Sequence, residues 1–206
     1  MMPHKSRVID LHLAVEDSIM GISITIPVAS HAQLHGGGFE AGFYHPVLGF
    51  DHLLAMVCVG IIATLLGGRC VYTVPLTFVV VMFIGALTGF YGITFFGDEV
   101  GIALSVFVLG IAIFKKETLP LLLTFSLVGF FAFFHGHAHG IEIPRLANIS
   151  AYTSGFMLAT VLLHLVGIIL TIMSFRLKNG ALYMRYLGLA IALIGLSIFI
   201  QNVMLR

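Results

Sequence analysis

Two stretches of this sequence place histidine close to carboxylate residues. The first ends in Asp51-His52, and the second contains His135, His139 and Glu142. In a helix, His135 and His139 lie one turn apart on one face, and Glu142 extends that face if the helix continues. Imidazole and carboxylate ligands without thiolate suit borderline divalent ions such as Ni²⁺, Co²⁺ or Zn²⁺. The predicted metal ligands are His45, Asp51, His52, His135, His139 and Glu142.

The first stretch is expected to open a helix. Pro46 suits a first helical turn, where its missing N–H has no partner to lose. His45, directly before a proline, is disfavoured in the helical region and is expected to cap the helix. Asp51 and His52 then lie about 9 Å below the helix start. A purely structural alternative is that Asp51 caps a backbone group and His52 donates to a nearby carbonyl.

Four further histidines form a second tier of metal candidates. His31 and His35 either gather metal at the entrance or are solvated loop residues. His137 points away from the stripe of His135 and is a weaker candidate. His164 lies in the middle of an apolar segment, where it either serves the metal or bonds Ser or Thr on a neighbouring helix.

The composition indicates that these residues are positioned by membrane-spanning helices. Hydrophobic residues make up 59% and charged residues 9% of the chain, and the mean hydropathy is +1.10. Soluble domains carry about 25% charged residues, so a soluble domain, a disordered tail and a nucleic-acid binder are excluded. We predict an all-α integral membrane protein of about six spans. These are Pro46–Leu66, Val71–Phe96, Val100–Phe114, Thr118–His137, Ser150–Phe175 and Arg185–Met204. The third is short and is expected either to extend through Asp98 or to tilt less than its neighbours.

Basic residues predict the orientation of these spans. Residues 1–32 are expected to be a signal peptide or leader, followed by one transmembrane domain over 33–206, with the N-terminal side outside. The inner loops then hold most of the cations. They are Arg69, Lys115, Lys116, Arg176, Lys178 and Arg185, against Arg145 and Arg206 outside. In this orientation both histidine stretches lie at the outer side.

Glycine pairs at four-residue spacing predict where helices approach closely. Gly85 and Gly89 form one pair, and Gly136 and Gly140 form another. Small residues at this spacing allow close backbone approach in lipid.

Two long motifs carry a family resemblance. Residues 38–60, including His45-Pro46 and Asp51-His52-Leu53-Leu54-Ala55-Met56, and the run Phe134–Gly140 with Glu142 and Pro144 resemble the HupE/UreJ family. The resemblance covers about Gly38 to the C-terminus. It implies a small multi-span protein of the bacterial inner membrane, a nickel or cobalt permease that serves hydrogenase or urease maturation. The family's two motifs fall on the six residues proposed above as ligands.

The sequence therefore predicts a nickel(II) or cobalt permease with no prosthetic group and no enzymatic activity. An intramembrane zinc-dependent hydrolase, a di-haem subunit and a metal-binding accessory or sensor protein remain alternatives. The absence of an HExxH motif argues against the hydrolase. The expected partners are a divalent transition-metal ion and membrane lipid. Nucleic acid is excluded, and a second copy of the chain is left open.

Overall fold

The protein is a bundle of helices. The structure, a computed structural model, describes residues 38–95, 97–115, 119–143 and 148–204. Within these ranges there are seven helices and no strand, which confirms the predicted all-α class. The helices are α1 (Phe39–Leu48), α2 (Phe50–Leu66), α3 (Cys70–Phe90), α4 (Asp98–Lys115), α5 (Leu121–Ile141), α6 (Ile149–Ser174) and α7 (Gly180–Met204). The predicted leader, with His31 and His35, lies outside the described residues.

Four helices, α3, α5, α6 and α7, are long and apolar enough to cross a membrane, and α1 with α2 makes a fifth span if the bent pair counts as one. Their outward faces carry large apolar side chains, such as Leu76, Leu122 and Leu193, as a lipid-facing surface requires. The chain is thus a multi-pass membrane protein. The third predicted span corresponds to α4, which begins at Asp98, as the first of its two alternatives predicted. It carries charged residues at both ends and stays a prediction as a span.

The first predicted span was wrong in its start. Pro46 lies inside α1 rather than at a helix start, and His45 is helical rather than a cap. The chain turns by 81° between α1 and α2. Gly49 forms the break: its N–H donates to the His45 carbonyl (3.0 Å) and its carbonyl accepts from Leu53 (2.8 Å). Asp51 and His52 therefore lie in the first turn of α2 and not about 9 Å inside a continuous helix.

Other helix ends also differ from the predicted spans: α5 begins at Leu121 rather than at Thr118, α7 begins at Gly180 rather than at Arg185, and both α3 and α5 end elsewhere than predicted. Helix α3 stops at Phe90 rather than at Phe96, because Gly92 adopts a left-handed φ of 74° and closes the helix end. Helix α5 continues to Ile141 rather than ending at His137, although its last turn is polar in sequence. Its histidines are buried inside the bundle, so the helix extends beyond the apolar run.

The glycine pairs predicted for close packing face each other across α3 and α5. A Cβ built on Gly136 would overlap the carbonyl of Met82, and one on Gly85 would overlap the carbonyl of Phe133. The two backbones therefore touch, as the spacing predicted. This contact fixes the height of the α5 histidines against α3. Helix α2, which is buried on every side over residues 55–63, lies at the centre of the bundle.

Candidate metal centre

Three histidines from three helices meet at one end of the bundle. His45 comes from the end of α1, His52 from the first turn of α2 and His139 from the last turn of α5. One ring nitrogen of each lies within 4.8 Å of the others. Ligand nitrogens about 2.1 Å from a tetrahedral ion are about 3.4 Å apart. A modest inward movement of the three rings would thus bring their nitrogens to coordination distance.

The break at Gly49 is what brings His45 and His52 together. In a straight helix, residues seven apart are separated by about 10.5 Å along the axis. Across the 81° bend, the two ring centroids lie 6.0 Å apart. A Cβ on Gly49 would lie 3.3 Å from Nδ1 of His52, so the small residue also leaves room for the His52 ring.

Asp51 pairs with His52 and is not among the three residues whose ligand atoms converge. Nδ1 of His52 donates to Oδ1 of Asp51 (2.9 Å), and the same oxygen accepts the backbone N–H of His52 (2.8 Å). This hydrogen bond places the ring proton on Nδ1 and leaves a lone pair on Nε2. Nε2 is buried and has no hydrogen-bond partner among the described residues. A carboxylate behind a ligating imidazole is the common arrangement at protein metal sites.

His135 extends the cluster towards the bundle interior. Its Nδ1 donates to the Phe131 carbonyl of its own helix (2.9 Å), which again leaves a lone pair on Nε2. That nitrogen is fully buried and has no partner in the described part of the chain. The ring lies 5.0 Å from that of His52 and one helical turn below His139. His135 therefore forms the inner edge of the cluster.

Glu142 forms the outer rim. It is the residue that caps α5, not a further turn of the helix, so the predicted stripe ends at His139. Its Oε2 lies 2.8 Å from Nε2 of His45. The Glu142 side chain is 42% exposed, whereas His139 is completely buried. A half-exposed carboxylate with buried imidazoles behind it therefore orders the candidate ligands from the surface inwards.

Helix α6 supplies an aromatic wall that the sequence analysis did not identify. The Phe156 ring stacks on His139 with centroids 4.8 Å apart and an interplanar angle of 7°. Tyr152, one turn earlier, packs 6.2 Å from the ring of His45. The four-residue spacing of these aromatics with Thr160 and His164 was the signal available in the sequence. The wall keeps the cluster apolar on one side and holds the imidazole planes.

His137 is not part of this cluster. Its Nδ1 pairs with Oδ2 of Asp98 (2.8 Å) and its Nε2 donates to the Ile93 carbonyl (2.6 Å). Both ring nitrogens are therefore engaged in this structure, and the second-tier assignment of His137 stays a prediction. The residue instead fastens α5 to the start of α4 and to the segment before it.

Replacing His137 by leucine should destabilise the protein without weakening metal binding. The Asp98 carboxylate and the Ile93 carbonyl would each lose a buried donor, at a cost of about 1–3 kcal/mol per group. Thermal unfolding of the purified protein in detergent, followed by circular dichroism, measures this loss. The exposed Glu40→Gln exchange on α1 is the control and should not move the midpoint. An unchanged midpoint in His137→Leu, or a lost Ni²⁺ affinity in a folded sample, would contradict the assignment.

The comparisons with known proteins identify the family of this chain. The family described as "HupE / UreJ protein" matches residues 19–198. The chain is 42% identical to "Protein HupE" of Rhizobium leguminosarum bv. viciae over 180 residues, which covers 86% of this chain and 94% of that protein. No solved structure matches the chain. The family resemblance predicted from the sequence is confirmed, and the chain belongs to the HupE/UreJ family of membrane proteins, which is associated with nickel and cobalt uptake for hydrogenase and urease.

Proposed function

We propose that this protein is a permease that takes up Ni²⁺, or Co²⁺, through the centre formed by His45, His52 and His139. The observation that carries the proposal is the convergence of their ring nitrogens within 4.8 Å inside a membrane-spanning bundle. His135 lies next to this centre on its inner side, and Glu142 lies next to it on its exposed side. Asp51 acts through His52.

The ligand geometry favours passage over permanent binding. Conduction needs a site that is attractive enough to enter and weak enough to leave. Nitrogens up to 4.8 Å apart form an open shell, in which an ion keeps part of its water. Imidazole nitrogen with a rim carboxylate is a mixed donor set that suits Ni²⁺ and Co²⁺. A closed tetrahedral site would instead hold the ion.

The proposed direction is from outside to inside, across the inner membrane of a bacterium. Helices α2 and α6 begin at the histidine end, and their opposite ends lead into segments with Arg69, Arg176 and Lys178. An excess of cations on one side is typical of the cytoplasmic face. The histidine centre would then face outside, and the delivered metal would supply urease or hydrogenase maturation.

Transport by the purified protein tests the proposal directly. Proteoliposomes that contain the full chain and an internal metal-sensitive dye should admit Ni²⁺ faster than empty liposomes. Excess Co²⁺ should compete with Ni²⁺ more strongly than Mg²⁺ does, because Mg²⁺ prefers oxygen ligands. Binding of Ni²⁺ without flux would overturn the permease hypothesis and favour the alternative of a metal-binding accessory or sensor protein.

A further inference from the structure

We propose that the protein contains a second, inner ion position, whose central ligand is His164. This proposal rests on the proposed transport function and extends it from one ion-binding site to two successive sites along the path. His164 is 1% exposed, and neither ring nitrogen has a hydrogen-bond partner among the described residues. Burying a polar group in this state costs free energy. A leucine at this position would pack without that cost, so the imidazole is expected to serve a ligand.

Helix α6 places His164 deeper in the bundle than the outer centre. Tyr152, Phe156, Thr160 and His164 follow each other at four-residue spacing and are all buried, so they form one ridge that winds around the helix by about 40° per step. Phe156 stacks on His139, as described above. His164 is eight residues further along α6, which is about 12 Å deeper in the bundle.

His135 and Phe78 connect the two levels. The ring of His135 lies 5.0 Å from that of His52 in the outer centre and 5.5 Å from that of Phe78. The Phe78 ring in turn lies 5.2 Å from the ring of His164. The Nε2 lone pair of His135 is buried without a partner in the described ranges. An ion leaving the outer centre would therefore meet His135 next, and then His164 on the far side of the Phe78 ring.

Further donors lie one turn along each helix from the contact between His164 on α6 and Phe78 on α3. Thr160 precedes His164 by one turn of α6, and Met82 follows Phe78 by one turn of α3. The Thr160 hydroxyl lies 3.7 Å from the Met82 sulfur, and both side chains are fully buried. Imidazole, thioether and hydroxyl donors are neutral, unlike the carboxylate-supported outer centre. We expect the inner position to bind more weakly, as movement between successive sites requires.

Metal stoichiometry distinguishes one ion position from two. We would titrate the full chain in lipid nanodiscs with Co²⁺, using calorimetry and the visible absorption of the bound ion. The wild type is expected to bind two ions per chain with unequal affinity, and His164→Leu only the tighter one. Nickel flux in proteoliposomes should fall by roughly 10-fold or more in His164→Leu, because the inner ion position is lost. Thr171→Val on the same helix removes a hydroxyl that donates to the Gly167 carbonyl and should change neither quantity.

The unfolding temperature of His164→Leu provides a second test. A ligand role and a purely structural role of His164 predict changes of opposite sign. Without metal, His164→Leu should unfold at the same or a higher temperature than the wild type, since an unpartnered buried polar group is removed. A lower midpoint in both His164→Leu and His164→Phe would show that the imidazole supports the fold, and would overturn the proposal. A single ion per wild-type chain, or two ions in His164→Leu, would also overturn it. Loss of all binding and flux in the wild type would instead refute the proposed function.

Discussion

Replacement of His52 by alanine is expected to weaken Ni²⁺ binding by roughly 100-fold or more and to stop nickel uptake. Structural metal sites with four ligands gain about 10–16 kcal/mol, so one ligand accounts for about 3 kcal/mol, or about 100-fold. His52 packs against the three other histidines of the cluster: its ring lies 6.0 Å from that of His45, 4.9 Å from that of His139 and 5.0 Å from that of His135. Calorimetry of the purified protein and ⁶³Ni uptake by cells measure the two effects.

A graded series separates ligand loss from misfolding. Asp51→Asn keeps an oxygen that can accept from Nδ1 of His52 but removes the charge, and loss of such an outer partner typically costs about 10–100-fold. We therefore expect Asp51→Asn to retain more affinity than His52→Ala. The exposed Glu40→Gln should behave as the wild type. Full uptake by His52→Ala at the normal protein level in the membrane would exclude the site.

The sequence predicted that the two histidine stretches lie close together. The prediction needed only the helical spacing within each stretch and the order of the apolar spans. Spacing on α5 places His135 and His139 on one face, and the order of the apolar spans places the start of the first near the end of the α5 span. Membrane class and helical fold follow from composition alone. These features depend on residues close in sequence, and the structure agrees with them.

The remaining features of the centre depend on packing between distant segments. The turn at Gly49 could not be predicted, since Pro46 is equally compatible with a helix start and with a position inside α1. The partner of His137 is 39 residues away, at Asp98. Phe156 lies on α6, and the sequence pattern of α6 does not indicate which helix its buried face contacts. Patterns in one sequence identify candidate ligands better than they identify the residues that orient those ligands.

Exchange of Gly136 for alanine is the second change with a large expected effect. The added Cβ would overlap the Met82 carbonyl, a backbone group that cannot rotate away, so α3 and α5 must separate. Overpacking of this kind costs about 1–3 kcal/mol and occasionally more, and we expect the upper end. His135 and His139 flank this contact on α5, so their separation from His52 should increase and nickel uptake should fall with stability. Thermal unfolding in detergent and ⁶³Ni uptake measure both losses.

Gly129→Ala provides a matched control on the same helix. A Cβ at Gly129 meets Val81 Cγ2 at 3.9 Å, which is ordinary van der Waals contact. Because alanine has the higher helix propensity by up to about 1 kcal/mol, this exchange should leave stability unchanged or raise it slightly. The same chemical change two turns apart on α5 therefore has opposite expected signs. If both variants unfolded at the wild-type temperature, the close α3–α5 contact would be wrong, and with it the height at which α5 presents its histidines to α1 and α2.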